Sequence, residues 1–319
     1  MSLTAALPYG QTLDYWWEKL DGHPARRRFM TIKALEVAAF ASNGRHNARV
    51  SEGADAIVFP TVREPEPWPS DPRLAVVVPI HARSAADARM AQRLVERIRA
   101  QTLAPAQIIV VDDASPWSVE LAAEVIRLPA NRGPAHARNV GIHRALAASP
   151  AAVALTDMDC VPTVGWLQAA AAHFAEHPLA HGISGRTDAY DQSWLGRYHE
   201  LNGTLNGRSL GDGLLYGPTC NLVLRAEVCR DVAFDESFPT AAAEDIDFCL
   251  RARLRGWRFE HAAAVRVAHD FGYDGLSKPR KLNRIWRQFR RYAGGERRLL
   301  SAHPGYGRLF EVSEEIVGG

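Results

Sequence analysis

Three strand-length apolar runs limit most strongly what this chain can fold into. They occupy residues 74–80, 107–111 and 151–155. None shows the alternation of apolar and polar residues expected of a strand with one wet face, and continuous runs are typical of strands buried on both faces of a parallel sheet. Residues with helical spacing lie between the runs. The order of strands and helices therefore predicts an α/β fold with right-handed crossover connections.

The predicted helices have recognisable starts. Ser84 stands three residues before Asp87, a spacing typical of a helix N-terminus, and apolar residues follow at helical spacing as far as Ile98. Pro116 and Pro134 suit the first position of two further helices, because proline has no N–H to leave unpaired there. These starts predict one helix between the first two strands and two helices between the second and third.

The central part of the chain is flanked by two extensions of different character. Residues 1–72 contain two helical patterns and then a proline-rich stretch at 60–72, which favours a stiff linker over a helix or a central strand. Residues 276–319 begin with a basic stretch that also carries apolar residues at helical spacing. We therefore expect three parts, at 1–72, 73–275 and 276–319.

The composition is that of an ordinary globular protein and excludes several classes. Hydrophobic residues make up 47% of the chain and charged residues 23%, which is enough apolar material for a full core. The formal net charge of +2 argues against a surface that coats nucleic acid. The four cysteines lack CxxC spacing and are expected to be reduced thiols. No apolar run is long enough to span a bilayer, and the N-terminus lacks the pattern of a signal peptide, so we expect a cytoplasmic protein.

Polar clusters follow the predicted strands at the edge where parallel sheets bind ligands. Pro79 and His81 close the first strand, Asp113 follows the second, and two acids follow the third. These acids, Asp157 and Asp159, project from the same side if the backbone is extended. Such a pair favours Mg²⁺ or Mn²⁺, which could bind a diphosphate; the alternative is a solvated turn. Asp113 could accept a hydrogen bond from the ring N–H of a base, or it could cap the next helix.

Two helix starts and one strand end supply the remaining candidate residues. Arg138 lies on a helix rich in small residues and can point toward a diphosphate, although most helical arginines are solvated charges. Glu244 and Asp245 begin a later helix, where the helix dipole favours ionised carboxylates. Asp245 could take a proton from an acceptor hydroxyl, or the two acids could serve only as caps. His269 closes an alternating strand.

In this order, the motifs from about Leu74 to about His269 resemble glycosyltransferase family 2. The resemblance implies the GT-A fold, which has a Rossmann-like, mainly parallel central sheet flanked by helices. Eight motifs in the order of the family make the resemblance specific. The motifs are VVVP at 76–79, VDDAS at 111–115, NRGPAHARNVG at 131–141, DMD at 157–159, GPTCN at 217–221, FDE at 234–236, EDID at 244–247, and His269.

The resemblance implies a donor side of the site. Pro79, His81 and Asp113 would line the nucleotide base, and Arg138 would approach the phosphates. Asn221 would lie on the boundary between donor and acceptor. The implied donor is a nucleotide diphosphate sugar, and we favour a UDP-sugar.

The resemblance also implies a metal and a catalytic base. Asp157 would face the ribose and the sugar and belong to the metal set, in which Asp159 and His269 hold Mn²⁺ or Mg²⁺. Asp245 would be the general base of an inverting displacement, and Glu244 would shape the acceptor side. The implied enzyme is a metal-dependent glycosyltransferase that transfers a sugar onto an acceptor hydroxyl.

The basic C-terminal stretch leaves three interpretations open. Residues 278–298 contain nine Lys or Arg residues and one acid, Glu296, together with the apolar stripe. The stretch could lie on anionic lipid at the inner face of the membrane, close over the diphosphate of the donor, or pack its stripe on the protein core. Gln288 and Arg291 match a Gln-x-x-Arg-Trp motif of polymer-forming members, but Tyr292 replaces the Trp. An enzyme that extrudes a polymer would need membrane-spanning helices, and no apolar segment of that length follows this stretch. We therefore expect the addition of one or a few sugars.

Two other functions fit parts of the pattern. A sugar nucleotidyltransferase has a related sheet but opens with a glycine-rich loop after its first strand, whereas residues 79–83 contain no glycine. A catalytically inactive protein that binds a nucleotide sugar or carbohydrate would have lost the metal or base acids, and both are present. The acceptor is open between a glycan, a lipid, a peptide and a small metabolite, and no nucleic-acid partner is expected.

Overall fold

The computed structural model describes residues 13–51, 53–238 and 240–310 of the chain. The chain divides into two compact units. The larger unit is Phe59–Asp274, and the smaller unit combines Met1–Val58 with Gly275–Gly319. The two extensions expected at the ends of the sequence therefore share one unit, and the proline-rich stretch belongs to the other. Residues 1–12 of the predicted N-terminal extension lie outside the described residues.

The larger unit alternates strands and helices along most of its length. Its strands are β1 (Leu74–Ile80), β2 (Gln107–Asp112), β3 (Glu124–Arg127), β4 (Ala152–Leu155), β5 (Cys160–Pro162), β6 (Gly182–Ala189), β7 (Arg208–Leu210), β8 (Gly213–Tyr216), β9 (Leu222–Arg225) and β10 (Phe259–His269). After α1 and α2, which belong to the smaller unit, its helices are α3 (Ala85–Arg99), α4 (Pro134–Leu146), α5 (Trp166–Glu176), α6 (Trp194–Asn202), α7 (Ala226–Asp231) and α8 (Glu244–Arg253). A short 3-10 helix, Thr219–Asn221, precedes β9.

Within the described residues, ten strands form one sheet in the order β3-β2-β1-β4-β9-β6-β10-β8-β7, with β5 paired to β10 off this path. The neighbours β3, β2, β1 and β4 run parallel, as the three apolar runs predict. Strand β9 is antiparallel to both β4 and β6, so it separates this half from the parallel pair β6 and β10. The α/β prediction is confirmed, but the sheet is mixed and not mainly parallel, since the described strands form four parallel and five antiparallel pairings.

Alternation along β1 explains why helices cover both faces of the sheet. Val76 and Val78 belong to one apolar core cluster, together with Leu94 of α3. Val77 points to the other cluster and contacts α4. Helix α4 comes so close that a Cβ added at Gly141 would lie 2.4 Å from Cγ1 of Val77. The small residues of α4 therefore allow the close approach that the sequence predicts.

The helix expected to start at Pro116 is not formed, because residues 116–123 of the described chain form a loop that leads into β3. Asp112 accepts the backbone N–H of Ser115 at 2.8 Å, and Arg127 donates to the Ser115 carbonyl oxygen at 2.7 Å. These contacts tie the segment to the end of β2. The Ser-Pro pattern is a local signal, and here the tertiary contacts outweigh it.

The smaller unit contains α1 (Leu13–Lys19), α2 (Arg26–Ser51), α9 (Lys278–Ala302) and a 3-10 helix, Pro304–Phe310. The basic C-terminal stretch forms α9, which packs against α2. Ile285 and Phe289 of the predicted stripe are fully buried, while Arg287 and Arg290 are exposed. This arrangement favours the interpretation in which the stripe packs on the protein. None of the helices in the described part of the chain combines the length and the apolar character needed to cross a membrane.

Candidate active site

The candidate active site lies in the larger unit, where the carboxyl ends of β1, β2 and β4 meet one edge of the sheet. Parallel strands place the residues that follow them at this edge. The pairing of β5 with β10 sets Cys160 opposite His269, so the end of β10 joins the residues that follow β4. Arg138 connects this edge to the start of α8 through Glu244.

Asp113 binds the loop in front of α4. Its Oδ1 accepts the backbone N–H of Arg132 at 2.8 Å, and its Oδ2 accepts that of Gly133 at 2.8 Å. The neighbouring Asp112 accepts the backbone N–H of Ser115 instead, so the two adjacent acids hold different segments of the chain. Each carboxylate oxygen can accept more than one hydrogen bond. Contact between Asp113 and a nucleotide base therefore stays a prediction.

His81 lies beside Asp113, whereas Pro79 of β1 pairs with Val111 of β2. The His81 ring nitrogen Nδ1 lies 2.9 Å from the carbonyl oxygen of Asp113, and Asn131 donates to the same oxygen at 3.3 Å. Pro79 is part of β1 beyond Val77, the last β1 residue that pairs with β4. At Pro79, β1 pairs with β2 but no longer with β4. A proline, which has no N–H to donate, is tolerated at a position where the strand is paired on one side only.

The chain turns directly after β4. The N–H of Cys160 donates to the carbonyl oxygen of Asp157 at 3.0 Å, so the backbone between the two acids is not extended and the condition for their projecting from the same side is not met. The Asp157 carboxylate accepts a hydrogen bond from Arg138 at 2.7 Å, whereas Oδ1 of Asp159 lies 3.2 Å from Nε2 of His269. The structure thus places Asp159 with His269, and a metal contact of Asp157 stays a prediction.

Asp159 and His269 fit one divalent cation. Neighbouring ligands of an octahedral ion with bonds of about 2.1 Å lie about 3.0 Å apart, and the two side-chain atoms are 3.2 Å apart. The Cys160 thiol lies in the same cluster, but burial raises the pKa of Cys160 well above its ordinary value and keeps the thiol protonated. An oxygen and a nitrogen donor remain, and Mn²⁺ accepts both.

His269 carries a proton in this arrangement. Burial lowers the pKa of His269, but the Asp159 carboxylate and the other negative charge nearby together outweigh burial and raise that pKa above its ordinary value. The imidazolium therefore neutralises Asp159 in the protein without a metal. Asp159 and His269 would hold a divalent cation, which would supply the positive charge that the imidazolium supplies without a metal.

Arg138 is buried and holds two acids together. Its guanidinium donates to Asp157 at 2.7 Å and to Glu244 at 2.8 Å, and its side chain is only 1% exposed. Burial lowers the pKa of Arg138, but Asp157 and Glu244 outweigh burial and raise that pKa above its ordinary value. The arginine thus connects the turn after β4 with the start of α8. The approach of Arg138 to phosphates stays a prediction.

Asp245 lies in the first turn of α8, and no ion pair joins it to a cation among the described residues. Its Oδ1 accepts the N–H of Ile246 at 2.9 Å. Burial first, and then the neighbouring Glu244, raise the pKa of Asp245 to about 7, an effect that Arg138 partly offsets. A carboxylate with this pKa is suited to take up a proton near neutral pH. The residue before the helix, Ala243, has φ of 68°, a strained conformation for alanine.

Asn221 is buried among hydrogen-bond partners, and its place on the boundary between donor and acceptor stays a prediction. The residue is 0% exposed, and its Oδ1 accepts the indole N–H of Trp166 at 2.9 Å. Its Nδ2 donates to the carbonyl oxygens of Arg186 at 3.1 Å and Val265 at 3.0 Å. Val265 lies where the register of β10 shifts against β6. Asn221 therefore supports the irregular part of β10 that leads to His269.

Aromatic side chains that the sequence motifs did not predict pack behind His269. The Phe271 ring lies 4.6 Å from the His269 ring and 3.9 Å from the His199 ring, measured between centroids. His199 in turn contacts the Tyr273 hydroxyl at 2.8 Å. Burial lowers the pKa of His199 to about 3, so its ring stays neutral. The alternation His-x-Phe-x-Tyr over residues 269–273 is the sequence pattern from which this layer could have been predicted.

Residues 75–233 match the family model described as Glycosyl transferase family 2. These residues belong to glycosyltransferase family 2. The family 2 segment begins in β1, ends just after α7, and contains Asp113, Arg138, Asp157 and Asp159. Asp245 and His269 lie beyond it in the chain.

Curated relatives extend the likeness beyond this segment. The pre-mycofactocin glycosyltransferases of two Mycobacterium tuberculosis strains, CDC 1551 / Oshkosh and ATCC 25618 / H37Rv, are 30% identical to this chain over 238 residues. The alignment covers 69% of this chain and 48% of each relative. The chain thus spans about half the length of these relatives.

A solved structure shows the fold of the family 2 domain. The crystal structure of S. aureus TarS 1-349 in complex with UDP superposes with a TM-score of 0.50 at 18% sequence identity. The match covers 68% of this chain and 64% of that chain. The GT-A fold expected from the motifs is confirmed.

Proposed function

We propose that this chain is an inverting, metal-dependent glycosyltransferase that transfers a sugar from a UDP-sugar to an acceptor hydroxyl. The observation that carries the proposal is the Arg138 bridge, which holds Asp157 beside Glu244 with hydrogen bonds of 2.7 and 2.8 Å. Asp157 follows β4, next to the candidate metal pair, and Glu244 precedes the candidate base Asp245. Arg138 would thus connect the donor side, at Asp157, to the acceptor side, at Glu244.

The donor side would be formed by the loops after β1, β2 and β4. Asp113 organises the backbone N–H groups before α4, and its remaining acceptor capacity suits the ring N–H of a uracil. UDP is favoured because TarS, a protein of the same fold, is crystallised with UDP. Asp157 would face the ribose and sugar, with its carboxylate oriented by Arg138.

The metal would be held by Asp159 and His269. Mn²⁺ or Mg²⁺ bound there would neutralise the negative charge on the leaving nucleoside diphosphate. Asp159 is further positioned by its own backbone, because its carbonyl oxygen accepts the N–H of Asp270 at 2.8 Å. The layer formed by His199 and Phe271 restrains the ring of His269 from behind.

Asp245 would act as the general base. Its ionised carboxylate would accept the proton of the acceptor hydroxyl while that oxygen bonds to the anomeric carbon. The bond from the anomeric carbon to the diphosphate oxygen breaks in the same step, and the nucleoside diphosphate leaves with the electron pair. Because the acceptor oxygen attacks from the face opposite the leaving group, the configuration at the anomeric carbon is inverted.

The test is the release of nucleoside diphosphate from a panel of UDP-, GDP- and dTDP-sugars, with and without Mn²⁺. Wild type is compared with Asp159→Ala and Asp245→Asn, and with Asp212→Asn as a control. Asp212 is an exposed acid that pairs with Arg258, so its loss leaves the site unchanged. We expect slow hydrolysis of one donor, which needs the metal and is lost in both site variants but not in the control.

The same experiment distinguishes the alternatives. Metal-dependent binding of a donor without turnover would favour the inactive binding protein. Hydrolysis that persists in Asp245→Asn at the wild-type rate would refute the assignment of the base. Activity with a GDP- or dTDP-sugar alone would correct the nucleotide and leave the reaction class in place.

A further inference from the structure

The two units of the chain carry opposite net charges. The smaller unit has 17 Lys or Arg residues and 10 Asp or Glu residues, which gives it a formal charge of +7. The larger unit has 21 and 26 of these residues and a formal charge of −5. The net charge of +2 for the whole chain therefore hides a strongly basic part. Such an asymmetry is typical of a chain that binds an anionic partner through one of its parts.

Helix α9 supplies most of the positive charge of the smaller unit, with nine Lys or Arg residues and one acid. An α-helix turns by about 100° per residue, so five of its arginines fall within about 80° around the helix axis. At 1.5 Å per residue, they extend over about 27 Å along the helix. These five residues, all of them exposed, form the arginine row: Arg280, Arg284, Arg287, Arg291 and Arg298.

The opposite side of α9 is fixed against the protein. Ile285, Phe289, Ala293 and Leu300 are buried, and their positions in the helical turn place them on the side away from the arginine row. Through this side α9 packs on α2 and on the 3-10 helix Pro304–Phe310. The packing therefore sets the rotation of the helix about its axis and keeps the arginine row toward solvent.

The charge of the row is not neutralised by its own helix. Glu296, the one acid of α9, is half-buried and lies on the side of the helix opposite the row. Arg280, Arg287 and Arg291 form no ion pair within the part of the chain that the structure describes. The Arg291 guanidinium lies 5.6 Å from the centroid of the neighbouring Tyr292 ring, a contact that leaves its charge in place.

We propose that the arginine row of α9 is a docking surface for an anionic lipid membrane. The five guanidinium groups lie along one line on the outside of a helix, so all of them can meet one flat surface. Each Lys or Arg held near an anionic membrane strengthens the attraction by about 5-fold. The apolar side of the helix is occupied by protein, so the attraction is electrostatic and reversible and needs no insertion into the bilayer.

A membrane fits the exposed side of α9 better than a single-stranded nucleic acid does. Such proteins stack bases on aromatic rings next to a basic groove. Among the arginines of this side lie Asn283 and Gly294, which are exposed and offer no ring. The row contains none of the candidate active-site residues, so the proposal does not depend on the transferase assignment.

The experiment is sedimentation of the full chain with lipid vesicles. One set of vesicles is phosphatidylcholine alone, and the other contains about 30% phosphatidylserine, the kind of lipid that makes a membrane surface negative. The test variant combines Arg287→Gln with Arg291→Gln. Its matched control combines Arg89→Gln with Arg97→Gln, which removes the same charge from two exposed positions of α3 in the larger unit.

We expect wild type to bind the anionic vesicles and not the neutral ones. The test variant should bind about 30-fold more weakly, because two charges are lost, whereas the control should stay within about 2-fold of wild type. Arg287→Lys with Arg291→Lys should restore binding, since the charge returns. At about 0.5 M salt the screening length falls to about 4 Å, and wild type should be released. Circular dichroism equal to that of wild type shows that each variant folds.

Three results would overturn the proposal. Equal binding to neutral and anionic vesicles would mean that apolar insertion, and not the arginine row, holds the chain. Equal affinity of the test variant and its control for anionic vesicles, or no binding by wild type, would remove the row as a docking surface for lipid. Tighter binding to polyuridylate than to the vesicles, lost in the test variant, would assign the row to a nucleic acid instead.

Discussion

Replacement of Arg138 by methionine removes the guanidinium between Asp157 and Glu244 and keeps much of the side-chain volume. The side chains of Arg138 and Glu244 are 1% and 3% exposed. At their separation of 2.8 Å and an effective dielectric constant of about 20, the attraction is about 6 kcal/mol before desolvation. The contact with Asp157 contributes less, because that side chain is 26% exposed and water screens it.

The net effect is set by the charge that the substitution leaves behind. Removal of one partner of a buried ion pair costs about 3–5 kcal/mol, since the other charge stays buried without compensation. We therefore expect Arg138→Met to lower the free energy of unfolding of the larger unit by about 3–5 kcal/mol. Addition of Glu244→Gln should recover about 2–3 kcal/mol, because the orphaned charge is then gone.

Urea unfolding followed by hydrogen exchange in peptides from β1 and β4 reports on the larger unit. With a denaturant dependence of about 2–3 kcal/mol per molar urea, a loss of 4 kcal/mol moves the midpoint by about 1.5 M. Arg144→Met is the matched control, because Arg144 lies on the same helix and its pair with Glu124 is 42% and 39% exposed. The control should cost about 0.2–1 kcal/mol. Equal losses in Arg138→Met and Arg144→Met, or no recovery on adding Glu244→Gln, would refute this reasoning.

Further predictions concern the base, the support of β10 and the packing of α4. Turnover should rise with pH through an apparent pKa near 7, because only ionised Asp245 accepts a proton. In Asp245→Asn a pH–rate profile should lack this rise, with kcat lower by about 10²- to 10⁴-fold. Asn221→Ala removes three side-chain hydrogen bonds, two of them buried, and thermal unfolding should show a loss of about 2–4 kcal/mol, whereas unchanged stability would contradict the supporting role. Gly141→Ala forces a Cβ against Val77 and should cost about 1–3 kcal/mol in the same assay. Gly165→Ala, where a Cβ meets no atom within 4 Å, is its control.

The central strands could be predicted because burial on both faces leaves a local mark in the chain. Residues 74–80 are β1 as expected, and the other two runs differ from β2 and β4 by one residue at one end. Ser84 caps α3, as its spacing predicts, by accepting the N–H of Asp87 at 3.3 Å. The helix predicted from Pro116 does not form. A helix-start signal is local and does not indicate whether the following segment has a surface to pack on.

The sequence could place candidate residues at one edge of the sheet, but it could not identify the residues that they contact. Acids after parallel strands meet at one edge through topology alone, which explains why Asp113 and Asp159 could be selected. The partner of Arg138 lies 106 residues away in the chain, at Glu244, and no local pattern encodes such a pair. The same holds for Asn221, whose neighbours come from several elements.

The sequence by itself determined the class of fold, the ends of the central strands and the family to which residues 75–233 belong. Those properties follow from periodicity and from short motifs, which are readable along the chain. Only the tertiary structure decided that Arg138 is buried between two acids, that Asp157 and Asp159 face different partners, and that α9 packs on α2. These contacts depend on distances between segments far apart in sequence, and packing of the sheet and helices sets those distances.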